Sequence, residues 1–208
     1  MAYIQSLGCI NREKMKLFHS YNKDRKKEHE FLSFIKNKFP DIEYINENFR
    51  FEESQIDSTL EIEPIIKGLK FDKFLPKKRK QICIDTLTNL HLEKVSIFES
   101  VNKISIDFTI NANGNNYFFE LHEDQHKNLS VSRATKIFDL KGNMILIPRY
   151  LFRLLKDIWR WNNLNNYQIV WADWFEQHSH ELLNILEPGR HEYGLKNTFL
   201  IKNLNYEN

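Results

Sequence analysis

The chain has 208 residues, of which 41% are hydrophobic and 13% aromatic, and this composition is typical of a folded globular protein with a core of its own. It contains no apolar run near the ~20 residues that span a bilayer, and residues 1–16 lack the apolar core of a secretory signal. Cys9 and Cys83 are too few for a disulfide framework or a thiolate metal site, so we expect a cytoplasmic protein without a membrane partner.

The net charge of +2 is small, but the charged residues are unevenly distributed. Residues 12–27 contain seven basic and two acidic side chains, whereas residues 41–63 contain eight acidic side chains and one arginine. A second basic run follows at residues 73–80. Basic segments beside an acidic centre suit an enzyme that cleaves phosphodiesters, although each run by itself is also typical of a solvated face.

The first predicted element is an amphipathic helix over Asp24–Phe39, with its apolar residues at helical spacing and Pro40 after its end. A strand is predicted at Tyr44–Phe51. The next segment is harder to interpret: Glu61–Ile66 and Val95–Glu99 are predicted strands, and Lys80–Leu92 is a predicted helix. We interpret residues 55–100 as a possible insertion that carries specificity.

The most informative pattern is a predicted β-hairpin. Lys103–Ile110 and Tyr117–His122 are two apolar runs, and Asn113 and Gly114 between them form a typical two-residue hairpin turn. The predicted elements after the hairpin are a helix over Ser130–Leu140 that stops at Gly142, a buried strand over Asn143–Ile147, an amphipathic helix over Arg149–Trp161, a strand over Tyr167–Trp174 and a closing helix over Gln177–Leu186. This order predicts one mixed α/β (α+β) domain over residues 1–208, with a central mixed β-sheet flanked by helices.

Asp107 and Glu120 are the acids that the hairpin brings side by side at a sheet edge. Two neighbouring carboxylates repel each other unless a cation lies between them, and a hard divalent ion is the usual solution. Asp107 alone is also a common turn or cap residue. Glu120 follows three consecutive aromatic residues, where an unpaired buried carboxylate is costly. The pair therefore predicts a metal site of the kind that metal-dependent nucleases use.

A helix bearing Glu28, then Asp107, then the run Glu120-Leu121-His122 resembles the PD-(D/E)XK nuclease superfamily, which has the restriction-endonuclease-like fold. The resemblance covers Lys26–Tyr44 and Lys103–Tyr150. It does not extend to residues 55–100 or to the carboxyl end. These motifs are short, and only their order along the chain makes them specific.

A narrower resemblance lies in the segment FFELHEDQH, residues 118–126. It is similar to the E-x-D-G-x-Q-H segment of a branch that includes very-short-patch repair endonucleases and restriction-type enzymes, with Glu120, Gln125 and His126 at matching positions. Arg133 and the residues that follow also resemble that branch. His122 departs from the pattern, because the branch often has aspartate there and the wider superfamily has the lysine thought to activate the attacking water.

The resemblance implies an Mg²⁺-dependent endonuclease, with Mn²⁺ as a possible substitute, that acts on double-stranded DNA and is most simply a type II restriction enzyme. The implied metal ligands are Asp107, Glu120 and the carbonyl of Leu121. The other implied catalytic residues are His122 or His126 as general base or phosphate contact, Gln125 as a water-orienting group, and Glu28 as a holder of a second ion or of water. The expected phosphate contacts are Lys77, Lys78, Arg79, Lys80, Arg133, Arg149 and Arg153.

Several alternatives stay open at this point. Cutting a palindromic site is simplest for a homodimer, but a monomer is also reasonable. The same fold suits a repair or mobile-element nuclease, and the missing lysine suits a DNA-binding relative that has lost catalysis. Zinc at His122 and His126 or at His178 and His180 is disfavoured, because no cysteine supports it. The tryptophans of residues 159–174 favour a core or a dimer interface over a DNA-stacking platform.

Overall fold

A computed structural model describes residues 26–39, 42–52, 57–72, 75–97, 103–112, 114–122, 132–180 and 186–194. The strands are β1 (Ile42–Glu52), β2 (Thr59–Glu61), β3 (Lys94–Ser96), β4 (Lys103–Ala112), β5 (Asn115–His122), β6 (Ala134–Phe138), β7 (Met144–Pro148), β8 (Tyr167–Trp171) and β9 (His191–Tyr193). The helices are α1 (residues 26–38), α2 (Ile62–Phe71), α3 (Lys77–Asn89), α4 (Arg149–Asn163) and α5 (Ala172–His178). None of these helices is long and apolar enough to cross a membrane.

Residues 1–42 and residues 43–208 form two compact units. In the first unit, α1 confirms the predicted amphipathic helix over residues 26–38, with Phe31, Leu32 and Ile35 buried. Lys26 and Glu30 pair across one turn of its exposed face, at 3.6 Å. The prediction of one domain over the whole chain stays a prediction.

The second unit contains a mixed five-stranded sheet in the order β1-β4-β5-β8-β9. The predicted hairpin is confirmed: β4 and β5 pair antiparallel, and the turn contains Gly114 at φ +72°, a backbone conformation that favours glycine. β5 and β8 are parallel neighbours, and α4 lies between them in the chain. Strand β8 ends at Trp171 rather than at Trp174 as predicted, since α5 begins at Ala172.

A second, four-stranded sheet has the order β2-β3-β6-β7, with each neighbouring pair antiparallel. Two predictions here are wrong. Glu61–Ile66 is not a strand, because helix α2 begins at Ile62 and buries Ile62, Ile65 and Leu69 at helical spacing. Ser130–Leu140 is not a helix, because residues 134–138 form β6, in which side chains alternate between the two faces.

Asn143–Ile147 is a strand as predicted, but the prediction that it is buried is wrong. Ile147 is buried on the inner face of β7, whereas Met144 and Leu146 on the other face are mostly exposed. Gly142 does not stop a helix. It takes φ +81° in the turn between β6 and β7, where its N–H donates to the Asp139 carbonyl at 3.0 Å.

Helix α4 forms the predicted amphipathic helix and contacts both sheets of the second unit. Its apolar residues Leu151, Leu154, Leu155 and Ile158 belong to one core cluster with residues of β2, β3, β6, β7 and β8. Because the face toward β5 is also buried, the charged side chains on that face are removed from solvent and need partners there.

Candidate functional site

The candidate site lies on the face of the β4–β5 hairpin that is turned toward α4. Phe108 pairs with Phe119 in the register, and their rings stack at 5.7 Å. Continuing that register by one residue places Asp107 opposite Glu120 on the other face. Asp107 Oδ2 accepts a hydrogen bond from the Leu121 N–H at 2.9 Å, which holds its carboxylate against β5.

Glu120 is buried and is paired with two arginines of α4. Its Oε1 lies 2.9 Å from Arg160 Nη2, and its Oε2 accepts a hydrogen bond from Arg153 Nη2 at 3.3 Å. Arg160 Nη2 also donates to the Ser105 carbonyl at 2.6 Å, and its contact with Oε1 is ionic without hydrogen-bond alignment. Arg160 is fully buried, whereas the Arg153 side chain is 24% exposed, so Arg153 is the more movable of the two partners.

Asp157 is a third buried carboxylate at this site. Its Oδ1 accepts a hydrogen bond from Arg160 Nη1 at 2.9 Å, and its Oδ2 lies 3.9 Å from Arg153 Nε. The same Oδ2 lies 3.7 Å from Nε2 of His122, whose ring packs edge-on against Trp171 at a centroid distance of 4.9 Å. Two strands and one helix thus bring together three acids, one imidazole and two guanidinium groups.

Glu120, His122 and Asp157 each offer one ligand atom, and these atoms all lie within 4.8 Å of one another. Carboxylate oxygens with an imidazole nitrogen form a donor set that divalent cations accept, and the imidazole favours Mn²⁺ or another transition ion more than Mg²⁺. The donor chemistry therefore fits a divalent cation. The competing feature is the arginine pair, since each oxygen of Glu120 lies near an arginine, Oε1 near Arg160 and Oε2 near Arg153.

The electrostatics of Asp107 reflect this crowding of acids. Burial and the neighbouring charge of Glu120 raise the pKa of Asp107 to about 7, against the lowering influence of the two arginines and of the Leu121 N–H. The residue keeps partial solvent exposure, so its desolvation is incomplete. Asp107 therefore holds its proton more tightly than an ordinary aspartate does, and a cation that binds it has to displace that proton.

His122 and Arg160 have opposite protonation behaviour. Burial, helped by the positive charges of Arg153 and Arg160, lowers the pKa of His122 well below its ordinary value. Its imidazole is neutral, which suits a metal ligand but makes it a weak general base. For Arg160, burial disfavours the charge, but Glu120, Tyr167 and Asp157 outweigh that effect and raise its pKa above the ordinary value.

For the other predicted catalytic residues, a place at this site stays a prediction. Gln125 and His126 lie outside the described residues. Glu28 is a partly exposed residue of α1 in the first compact unit. Leu121 lies in β5 opposite Val170, and its N–H donates a hydrogen bond to Asp107. That its carbonyl is a metal ligand stays a prediction.

The predicted phosphate contacts lie mainly at two helix N-termini. Lys77, Lys78, Arg79 and Lys80 form the first turn of α3, which contains no acidic residue. Positive side chains are unfavourable at this end of a helix, because the helix dipole is also positive there, unless an anion offsets both. Lys77 and Lys78 are exposed, whereas Lys80 Nζ donates to the Asp72 carbonyl at 2.6 Å.

The N-termini of α3 and α4 lie next to each other. The Arg79 guanidinium lies 4.5 Å from the centre of the Tyr150 ring in the first turn of α4. Arg149 precedes Tyr150, and its N–H donates to the carbonyl of Arg133 at 2.6 Å. Basic residues that are about 70 positions apart in sequence therefore share one region, and Arg153 follows Arg149 by one turn of α4 toward Glu120.

Sequence reasoning missed Asp157 and Arg160 and assigned Arg153 only to phosphate. A signal for them exists in the sequence: Arg153, Asp157 and Arg160 are spaced i, i+4 and i+7, so they share one face of a helix that is otherwise rich in leucine and tryptophan. Charged residues repeated at helical spacing next to apolar ones indicate partners on a neighbouring element.

Compared with known protein families, curated proteins and solved structures, the chain shows no significant match to any of them.

Proposed function

We propose that this protein is a divalent-metal-dependent DNA endonuclease of the PD-(D/E)XK type, most simply a type II restriction enzyme that uses Mg²⁺ or Mn²⁺. The observation that carries the proposal is the placement of Asp107 and Glu120 on one face of the hairpin, with Asp157 and His122 within reach of Glu120. Three buried or partly buried acids at one point are costly for a fold, and such a cost is typical of a functional site.

The topology supports the restriction-endonuclease-like part of the proposal. An antiparallel hairpin carries Asp107 on its first strand and Glu120 on its second, and the connection from the second strand to its parallel neighbour β8 includes β6, β7 and α4. Helix α4 therefore covers the acidic face of β5 and supplies Asp157 to it. A central mixed β-sheet flanked by helices is what the resemblance of Glu28, Asp107 and Glu120 implies.

A bound divalent ion would polarise the scissile phosphate and lower the pKa of a water molecule. Asp107, Glu120, His122 and Asp157 are the residues proposed to hold it, His122 through its neutral imidazole. Arg160 holds Glu120 and Asp157 in position, because it contacts both of them at 2.9 Å. Arg153 can contact the phosphate, since its side chain is partly exposed at the edge of the site.

Substrate binding is proposed for the basic first turn of α3 together with Arg133 and Arg149. A phosphate there would offset the lysine charges and accept hydrogen bonds from backbone N–H groups at the start of the helix. Removing any one of these basic side chains should weaken DNA binding about equally for all sequences and reduce its salt dependence. Lys77→Ala and Lys78→Ala are the cleanest tests, because both side chains are exposed.

The deciding experiment is incubation of mixed plasmid DNA with Mg²⁺, Mn²⁺ or EDTA, comparing wild type with Glu120→Gln. We expect discrete metal-dependent fragments from wild type and a loss of about a hundredfold or more in Glu120→Gln, since even residues that only support metal ligands are worth about 10–100-fold. Glu63→Gln, an exposed acid of α2, is the matched control and should cleave normally. Equal cleavage by the Glu120 variant would refute the proposed site.

A DNA-binding relative without catalysis is the second candidate, and one observation favours it. The arginines of α4 already pair with Glu120 and Asp157, and no lysine stands at position 122. This candidate predicts DNA binding that is lost in the Lys77 and Lys78 variants, with no fragments under any metal condition. Binding and cleavage assays on the same preparations therefore separate the two.

A further inference from the structure

Exposed apolar side chains are concentrated in the β6–β7 hairpin, residues 134–148. Among the described residues, four large apolar side chains are mostly exposed, and three belong to this hairpin: Leu140 at 61%, Met144 at 53% and Leu146 at 60%. Single exposed apolar residues are ordinary, but a group of them on one hairpin indicates an interaction surface. The surface includes the outer strand of the four-stranded sheet, β7.

The backbone of β7 presents hydrogen-bonding groups outward. Arg149 N–H donates to the Arg133 carbonyl at 2.6 Å, and Asp139 N–H donates to the Asn143 carbonyl at 3.0 Å. In an antiparallel ladder with these contacts, the backbone N–H and C=O groups of the odd-numbered residues of β7 point toward β6. The backbone N–H and C=O groups of Met144 and Leu146 therefore point away from β6, toward the open edge. No described strand pairs with that side. The backbone of Pro148 also faces outward. Proline has no N–H to donate there, and such a position is tolerated in an edge strand.

We propose that a second copy of this chain pairs with β7, strand against strand and antiparallel, about a two-fold axis at Leu146. In this register Leu146 lies opposite Leu146 of the second copy, and Met144 lies opposite Pro148. The two leucines exchange a pair of backbone hydrogen bonds, and each Met144 N–H donates to the Pro148 carbonyl of the other copy. The exposed side chains of both strands then form one apolar strip across the joined sheet.

The charges near β7 fit this self-pairing. Residues 143–148 contain no charge, so the paired strands place no like charges opposite each other. At each end, Asn143 lies opposite Arg149 of the second copy. Asn143 Nδ2 donates to Asp139 Oδ2 at 2.8 Å, and the hydrogen bonds from Asn143 lower the pKa of Asp139. In the proposed dimer, the anionic Asp139 of one copy therefore lies near the exposed Arg149 of the other copy, since Asn143 stands between them.

Two of the other described edge strands, β2 and β9, are less suited to this contact. Strands β2 and β9 have three residues each, and β2 carries the exposed Glu61 paired with Lys94 at 3.3 Å. Short and charged edges are typical devices against strand addition. The β7 edge has neither protection. In the proposed dimer Arg149 binds a carboxylate of the second copy, so the phosphate contacts proposed above are reduced to Arg133 and the first turn of α3, where Lys77 and Lys78 are exposed.

The first test is sedimentation equilibrium of the full chain without DNA, comparing wild type with Leu146→Lys. We expect a concentration-dependent dimer for wild type and a dissociation constant at least about tenfold weaker for Leu146→Lys, since two opposed lysines replace two leucines. Phe71→Lys is the control, because Phe71 is 72% exposed but lies at the end of α2. Circular-dichroism melting shows whether each variant is folded. A wild type that is monomeric at all concentrations, or a dimer insensitive to Leu146→Lys, would overturn the proposal.

The second test reads the register. Arg149→Glu should weaken the dimer by placing two anions together at each end, and adding Asn143→Lys should restore it by at least a few-fold. Only a dimer in which residue 143 lies opposite residue 149 of the other copy predicts that the second substitution restores the affinity. A double variant as weak as Arg149→Glu alone would refute this register.

Discussion

The two hairpins of the second compact unit distribute polar and apolar residues in opposite ways. In the β4–β5 hairpin both faces are covered, and one of them buries Glu120 and His122. In the β6–β7 hairpin only one face is covered, and the other exposes Leu146. Carboxylates are rarely fully buried, and a cluster of large apolar side chains is rarely left exposed. Both departures lie where a partner is expected, a cation and a substrate at the first hairpin and a second copy at the second.

The buried carboxylates of the first hairpin depend on Arg160, and this gives the largest expected effect. Arg160→Met should lower the free energy of unfolding by about 3–5 kcal/mol, because Glu120 and Asp157 lose a buried partner that contacts both. Urea unfolding measures the change. Arg133→Met is the control, since Arg133 is exposed and should change stability by only about 0.5 kcal/mol or less. A loss below about 1 kcal/mol in Arg160→Met would show that the ion pairs are not essential to the fold.

A pair of apolar truncations tests the contrast between the hairpins directly. Phe119→Ala should cost about 3–5 kcal/mol, because Phe119 is fully buried and stacks on Phe108. Leu146→Ala should cost about 0.5 kcal/mol or less when it is measured in dilute, monomeric protein. Similar losses for the two variants would mean that the exposed face of β7 is covered in the monomer.

The pKa of Asp107 predicts how stability depends on pH. Because its pKa is raised from 3.8 to about 7 in the folded state, the folded protein holds a proton that the unfolded chain releases between these values. Stability from this group is therefore present at low pH and is lost as the pH rises from about 4 through about 7. Raising the pKa from 3.8 to about 7 would correspond to about 4 kcal/mol for a fully desolvated carboxylate, but partial exposure reduces the expected loss to about 1–2 kcal/mol.

Asp107→Asn should remove this pH dependence, since the amide keeps an acceptor for the Leu121 N–H but does not titrate. Urea unfolding of both proteins at pH 5 and pH 8 gives the comparison. Parallel profiles for wild type and Asp107→Asn would contradict the raised pKa.

The smallest expected effect is that of replacing Arg153. The replacement tests whether Arg153 stabilises the fold or acts at the cation and substrate site. Arg153→Gln should change stability by less than about 1 kcal/mol, because the side chain is partly exposed and its ion-pair distances are 3.3 and 3.9 Å. The same change removes a competing positive charge from Glu120, so Mn²⁺ should bind a few-fold more tightly in calorimetric titration. Lys156 is the next basic residue after Arg153 in α4. Lys156→Gln is therefore the control and should leave the Mn²⁺ affinity unchanged. Weaker binding to Arg153→Gln would mean that Arg153 supports the ligands rather than competing with the ion.

Local patterns in the sequence predicted the elements that have strong periodicity or a distinctive turn. The hairpin follows from two apolar runs around a glycine turn, and α4 follows from Leu151, Leu154, Leu155 and Ile158. Short apolar runs were ambiguous. Glu61–Ile66 fits a strand or a helix equally well by pattern, and packing of α2 against α3 and the core decides in favour of the helix. For residues 134–138 the pairing of β6 with β7 overrides weak helical character.

The amino-acid sequence by itself determined that Asp107 and Glu120 meet, because a two-residue turn sets the register of the strands on either side of it. Only the tertiary structure decided that Asp157 and the arginines of α4 complete the site, and that one face of β7 is left open. The reason is physical: a turn acts between neighbouring residues, whereas the partner of a buried charge and the cover of a strand depend on how distant elements pack.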